Sequence, residues 1–326
     1  MSMSDNQTSR RVASSGTIFS LRPLCDADRA TYGDMLHASF NDWYWKHGWG
    51  SDYFQSTPLE AAVFYDIYND LSPGSSVAAF CNKTGQLLGA CFYHRRERHV
   101  SLGIMAVHPS YGGQGIGHAL VSEIVRISDE LGSPALRLVS SAMNMDSLSL
   151  YNRAGIVPRQ TYHDMVIAVP AEGHEGKHPR RELVRPAVAA DVAAMGALEL
   201  EVSGIRREPD YEYAITNNRG FFHVDVSTSE AGEIDGWMIS VKHPALNMLG
   251  PCVARSEDST AALILAGLEQ FKGQSVLLVV PVDRRQLVDT LYGWGARNIE
   301  THLLQVRGDF QPFAGVNLPS FLPETG

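Results

Sequence analysis

The stretch from Val100 to Leu131 constrains this chain more than any other. It opens on the apolar run Val100-Ser101-Leu102-Gly103-Ile104-Met105-Ala106-Val107. Its length and bounding residues predict a buried strand. Pro109 ends that strand, because proline has no N–H to give to a ladder. Tyr111-Gly112-Gly113-Gln114-Gly115-Ile116-Gly117 comes next. Leu120, Ile124, Ile127 and Leu131 then recur at helical spacing, and Gly132 with Pro134 supplies a stop. The order is strand, glycine-rich loop, helix. Glycines let backbone N–H groups approach a ligand with no Cβ in the way. Successive inward N–H groups make an anion nest, and a helix start adds unpaired N–H groups and the positive end of its dipole. The expected ligand is a phosphate or pyrophosphate.

Two common phosphate loops are excluded. Gly112 and Gly117 flank four residues, as in a P-loop, but His118-Ala119 stands where Lys and Ser or Thr are required. No register gives the dinucleotide glycine spacing, because Gly115-Ile116-Gly117 runs on into His118, Ala119 and Leu120. A second stretch follows in the right order. Ala135-Leu136-Arg137-Leu138-Val139 predicts a strand, and Asn144, Ser147, Tyr151, Arg153 and Gly155 lie downstream of it.

On these residues the chain resembles the GNAT acyltransferases. That family's acetyl-CoA loop carries Arg or Gln, two residues, Gly, one residue, then Gly or Ala. Gly115 and Gly117 match it, while Gly112 stands where Arg or Gln is preferred. The family's later pattern is Asn, a small residue three on, Tyr four further, a basic residue two on, then Gly two on. Asn144, Ser147, Tyr151, Arg153 and Gly155 fit all of it. The resemblance implies an α/β (α+β) fold with a mixed, mostly antiparallel twisted sheet flanked by helices. It also implies acetyl-CoA as co-substrate, held by Ala106, Val107, Gly112, Gly113, Gln114, Gly115, Ile116, Gly117, His118, Asn144 and Tyr151.

A chain of 326 residues is long for one domain and comfortable for two. The beginning recurs: Leu21-Arg22-Pro23 and Ala27-Asp28 return as Val184-Arg185-Pro186 and Ala190-Asp191, an offset of 163 residues (185 − 22). The expected layout is a disordered arm over 1–16, a first GNAT domain over 17–170 and a linker over 171–182. A degenerate copy over 183–310 and a tail over 311–326 complete it. The rear counterpart of the glycine loop, Gly250 to Ser259, lacks the glycines and carries Glu257 and Asp258, which repel a pyrophosphate. The closing Leu322-Pro323-Glu324-Thr325-Gly326 resembles a sortase recognition sequence; with neither a membrane segment after it nor a signal peptide before it expected, a chance match or an engineered tail is the expectation.

A net charge of −9 gives no basic nucleic-acid footprint. Cys25, Cys81, Cys91 and Cys252 have no zinc spacing and predict thiols in a reducing cytoplasm, so no metal is expected. No apolar stretch predicts a signal peptide or a membrane span. A small amine partner and a monomer or homodimer are expected.

The resemblance assigns the chemistry. The acceptor amine must be unprotonated, and at pH 7 on the order of one part in a thousand of a free alkyl ammonium is. The oxyanion is met by a backbone N–H on the central strand, Ala106 or Val107, and Tyr151 stands at the general-acid position, with Asn144 on the pantetheine arm or a water. Many relatives place a Glu on the central strand; Ser101, Gly103 and Met105 stand there and none is a base. His94, Glu97, His108 and Asp146 are the remaining candidates, beside direct attack with water relaying the proton. The aromatic run Phe40, Trp43, Tyr44 and Trp45 falls where the fold lines its acceptor site; equally, such a run packs into a core. The function expected is acetyl transfer to a primary amine, and the alternative is a non-catalytic acyl-CoA sensor or scaffold.

Overall fold

The computed structural model describes residues 11–323. They fall into two compact units, one made of the chain up to His94 with Leu102–Gly132, the other of Arg95–Ser101 with the chain from Ser133 on. No helix among the described residues is long and apolar enough to cross a membrane.

Strands β1 (Arg11–Val12), β2 (Ile18–Arg22), β3 (Ser76–Cys81), β4 (Leu87–Arg95) and β5 (Val100–Val107) lie side by side in that order, all in the first unit but for Arg95, Val100 and Ser101. The β1–β2, β2–β3 and β3–β4 pairs are antiparallel. The β3–β4 hairpin turns at Gly85, whose φ of +73° suits glycine. Helices α1 (Arg29–Lys46), α2 (Pro58–Ala61), α3 (Val63–Leu71) and α4 (Ile116–Glu130) complete it. Tyr32, Leu36, Ile67, Tyr68, Phe92, Ile116, Leu120 and Ile124 are buried. Within the expected disordered arm, Arg11 and Val12 pair with β2, and Arg11 forms an ion pair with Glu123 at 3.2 Å. The rest of that arm, residues 1–10, lies outside the described residues.

The second unit holds β6 (Ala135–Ser141), α5 (Met145–Arg153), β7 (Val157–Ala168), β8 (Val184–Pro186), α6 (Val192–Ser203), α7 (Glu208–Thr216), β9 (Phe222–Thr228), β10 (Ile234–His243) and β11 (Leu246–Ala254). Then come α8 (Glu257–Leu268), β12 (Ser275–Pro281), α9 (Arg285–Gly293), β13 (Arg297–Gly308) and β14 (Val316–Leu318). The strand order is β6-β13-β7-β12-β11-β10-β9-β8, with β14 added to β11. An apolar core of α8, α9, β12 and their neighbours covers one part of this sheet. The segment read as a linker is packed down: His174 meets the Trp294 ring, and Arg180 bonds Asp235 at 2.5 Å. The expected tail is likewise anchored by β14 and by the fully buried Leu322; residues 324–326 lie outside the described residues.

The internal repeat has a physical core. Arg22 donates to both oxygens of Asp28 at 2.6 and 2.9 Å, and Arg185 does the same to Asp191 at 2.7 and 2.8 Å. Each carboxylate also accepts a backbone N–H three residues before it, from Cys25 or Val188. The arginines hold both carboxyls below the usual range, Asp28 at about 2.

A second offset appears late in each half: α5 and β7 recur as α9 and β13, 140 residues on (285 − 145). These last strands are exchanged. β13 from the rear half inserts between β6 and β7, pairing antiparallel with both, while β7 turns its other edge to β12. A chain ended at Glu182 would leave both edges of the 12-residue β7 bare. Such a fragment is expected to aggregate on size exclusion and to lack a cooperative thermal transition. A monomeric, cooperatively melting fragment would show that the exchange is dispensable.

Candidate active site

The glycine loop is built within the first unit. After β5, a single 3-10 turn at Pro109–Tyr111 is capped by His108, whose Nδ1 accepts the Ser110 N–H at 3.2 Å. Gly113 and Gly115 take φ of +70° and +88°, the left-handed region that a side chain disfavours. A Cβ at either would meet nothing within 4 Å, and at Gly112 only the Pro109 carbonyl at 3.7 Å. Packing therefore demands none of the three; the backbone turn demands glycine at 113 and 115, and the space beside them is open. Gly115 caps α4 with no side-chain acceptor. The Ala119 N–H reaches back to Gly115 at 3.0 Å, so those of Ile116, Gly117 and His118 have no carbonyl behind them in the helix. That donor set fits an anionic diphosphate.

Other contacts fix the loop. Gln114 donates to the Ser110 carbonyl at 3.0 Å, and its own carbonyl accepts the Ser14 N–H at 3.2 Å. The Val107 carbonyl, beside the loop, accepts from Ser39 Oγ at 2.9 Å, and Ala106 is buried. Gly89 on β4 lets Ile116 close in: a Cβ there would lie 3.1 Å from Ile116 and 3.0 Å from the Ala106 carbonyl.

Gly103, one of the three β5 positions with no base, has its side-chain space filled from outside the strand. Tyr68 on α3 puts its ring where a Gly103 side chain would stand, 2.2 Å from the ideal Cβ, and its hydroxyl accepts the Ile104 N–H at 3.2 Å. The Tyr68 ring stacks on His94, which is fully buried and bonded to Ser72 at 2.8 Å. The aromatic run Phe40, Trp43, Tyr44 and Trp45 lies on α1, and most of it packs on its own kind. Phe40 meets Tyr53 and Phe54, Tyr44 stacks on Tyr53 at 4.2 Å, and Trp43 stacks on His47 at 4.0 Å. Trp45 is 55% exposed and donates its indole N–H to Asp52 at 2.6 Å.

In the second unit, Asn144 caps α5: its Oδ1 accepts the Ser147 N–H at 3.0 Å. The Asn-to-Ser spacing is thus a helix-capping spacing, and the amide NH2 remains the donor for any ligand. Tyr151 is buried on the same helix, and Gly155, two residues past the helix end, turns the chain with φ +77°. Glu97 faces Arg206 at 3.8 Å and is largely exposed, as is Asp146.

The sheet also assembles a group that sequence inspection missed. Asp164, Glu300 and His302 are all buried, with one ligand-type atom of each within 4.8 Å of the others. Asp164 accepts from His302 at 2.9 Å, and Ser141 donates to Glu300. Only the exchange of β13 beside β7 brings these residues together; no local spacing signals them.

Two like halves, one with a strand, a glycine loop and an uncapped helix start, define a tandem acetyltransferase architecture. The profile of the acetyltransferase (GNAT) family matches residues 38–156, and that of an acetyltransferase (GNAT) domain matches 198–312. The chain belongs to the GNAT family, with two such domains in tandem. It is similar to the uncharacterized N-acetyltransferase YitH of Bacillus subtilis (strain 168), at 25% identity over 219 residues, 66% of this chain and 72% of that one. A crystal structure of a putative acetyltransferase from Pyrococcus horikoshii shares the fold at TM-score 0.71 and 12% identity, over 94% of this chain and 95% of the other. A tandem GNAT protein from the clavulanic acid biosynthesis pathway shares it at TM-score 0.59 and 15% identity, over 89% and 98%.

Gly103→Ala forces its new methyl into the Tyr68 ring. Overpacking of this kind is expected to cost about 1–3 kcal/mol, read as a lower urea midpoint. An unchanged midpoint would mean that Tyr68 does not occupy that space.

Proposed function

We propose that the chain is an acyl-CoA-dependent N-acyltransferase that moves an acetyl group from acetyl-CoA to a primary amine, using the glycine loop of its front half. The loop carries the reading: two left-handed glycines, open space beside them, and helix-start N–H groups with no side-chain cap. Acetyl-CoA, when bound, supplies an activated thioester and a thiol leaving group.

The chain's residues supply the rest. Backbone N–H groups from Gly113 to His118 hold the diphosphate, that of Gly112 being turned to the Pro109 carbonyl, and the N–H of Ala106 or Val107 meets the charge that builds on the thioester oxygen. The Asn144 NH2 donates to the pantetheine arm or to a water. Tyr151, as general acid, gives its proton to the leaving thiolate; a phenol near pKa 10 can do so to a thiol near 8.5 in a dry site. No carboxylate stands on β5, so ordered water takes the ammonium proton. The aromatic group of Phe40, Trp43 and Trp45, with the buried Tyr44 behind them, suits a small apolar or aromatic amine.

The rear half is read as not binding CoA. Its α8 starts two residues after β11, where the front half spends eight between β5 and α4. Ser256 caps α8 through the Ser259 N–H at 3.1 Å, and Glu257 and Asp258 occupy its first turn. A second reading, a non-catalytic acyl-CoA sensor, draws on the absence of a carboxylate from β5, where Tyr68 fills the space beside Gly103.

Gly117→Glu places a carboxylate among the loop amides and is expected to abolish acetyl-CoA binding by isothermal titration; wild-type affinity in that variant would mean that the loop holds no diphosphate. Thiol release from acetyl-CoA with a panel of amines separates the two readings. Release is expected with at least one amine, and Tyr151→Phe is expected to lower it by about 10². Binding without release for every amine would favour the sensor, and undiminished release in Tyr151→Phe, with chemistry limiting, would remove Tyr151 from the reaction.

A further inference from the structure

Within the second unit, three side chains from two neighbouring strand segments share a face. His99 and Ser101 stand two residues apart, hence on the same side of the extended chain. Ser101 registers with Arg137 in the parallel pairing of β5 with β6, so the Arg137 side chain emerges on that side too. All three are buried, at 4%, 2% and 4% exposure. His99 Nδ1, Ser101 Oγ, and Arg137 Nε and Nη1 find no hydrogen-bond partner. Buried polar groups in native proteins are nearly always paired, so this coincidence calls for a missing partner.

The charges around them say which kind. Arg96 pairs with Asp210 at 2.8 Å, and Arg207 pairs with Glu199 at 2.7 Å, which also accepts from Tyr211. Arg137 has no carboxylate partner among the described residues; the ring of Phe310 lies 5.8 Å from its guanidinium carbon. Arg96, Arg137 and Arg207 thus face the carboxyls of Glu199 and Asp210, an excess of one positive charge where water cannot screen it. Burial lowers the Arg137 pKa to about 10, still charged at neutral pH. Burial and the three arginines keep His99 neutral, with its pKa well below the usual value. Asp210 Oδ1 is also without a partner, but its carboxyl is bonded to Arg96.

We propose that His99, Ser101 and Arg137 form a binding site for one singly charged carboxylate. A carboxylate carries the single negative charge that the excess requires, and about four lone-pair sites for several donors. A phosphate dianion would overshoot that balance. Arg137 supplies the charge, Ser101 and His99 supply hydrogen bonds, and Phe310 forms an apolar wall. The site goes beyond acyl transfer and does not depend on it. The carboxylate comes either from a free small acid or from the carboxyl group of an amino acid.

The test is thermal unfolding and isothermal titration of the full chain, without acetyl-CoA, against sodium formate, sodium acetate and a panel of amino acids. Sodium chloride at equal ionic strength is the control. A saturable rise in melting temperature with carboxylates, absent with chloride, is expected. Arg137→Gln should abolish it, and Ser101→Ala should weaken binding at least tenfold with the fold intact, which keeps the test decisive if Arg137→Gln does not fold. An amino acid binding tenfold or more tighter than acetate would identify an amino-acid carboxyl as the source; equal binding would identify a free small acid. No saturable response in the wild type, the same response to chloride, or unchanged binding in Ser101→Ala would overturn the proposal.

Discussion

The hydrogen-bond ladder of β13 between β6 and β7 holds the second unit together. It ties the closing strand of each half into the other's sheet, register by register from Leu304 against Val139 to His302 against Tyr162. A strand between two partners leaves no edge for a stray chain. The same ladder fixes side chains on its faces. Asp164 sits opposite Glu300 because of that register, and a slip by one residue would send each to the other face. The apolar group of Val139, Tyr162, Leu304 and Val306, with Phe310, Phe313 and Phe321 against it, makes such a slip costly.

The two halves use one plan with different helix starts. In the front half, eight residues separate strand from helix, Gly115 begins the helix, and its first amides look outward. In the rear half, Ser256 satisfies the Ser259 amide, and Glu257 and Asp258 bond Leu287 and Gln286 on α9. Those carboxylates serve the helix dipole and the α8–α9 contact at once. What would attract an anion in one half therefore stabilises packing in the other, so the divergence of the halves is a change of use for the same four orphan donors of a helix N-terminus.

Local features were legible in the sequence, and long-range ones were not. The glycine loop and the Arg22–Asp28 and Arg185–Asp191 repeat each lie within a few residues of chain, where spacing encodes geometry directly. The two GNAT domains followed from such motifs. The arm from Arg11 and the segment around His174 were read as loose because two-residue strands and single ring contacts have no periodicity to detect. The aromatic run was ambiguous for a related reason. Composition says that rings will be buried, but not that Tyr53 and Phe54 return to bury them. Asp164, Glu300 and His302 were invisible because the exchange of β7 and β13, which no local pattern records, makes them neighbours.

Arg137 shows why such groups matter for function. Its place in Ala135-Leu136-Arg137-Leu138-Val139 is that of an ordinary alternating strand residue, which in isolation predicts a solvated guanidinium. The fold instead buries it to 4% exposure and gives the two neighbouring carboxylates to other arginines. An apolar side chain of similar volume would fill that space without the desolvation penalty, because a buried charge is favourable only with a partner. His99 and Ser101 compound the cost, since each adds a polar atom that the protein leaves unpaired. A stability argument alone would place Leu or Met at 137. That three polar side chains stand together on one sheet face, with the neighbouring Arg96 and Arg207 each matched by a carboxylate and Arg137 not, is economical only if the balancing group arrives from outside the chain.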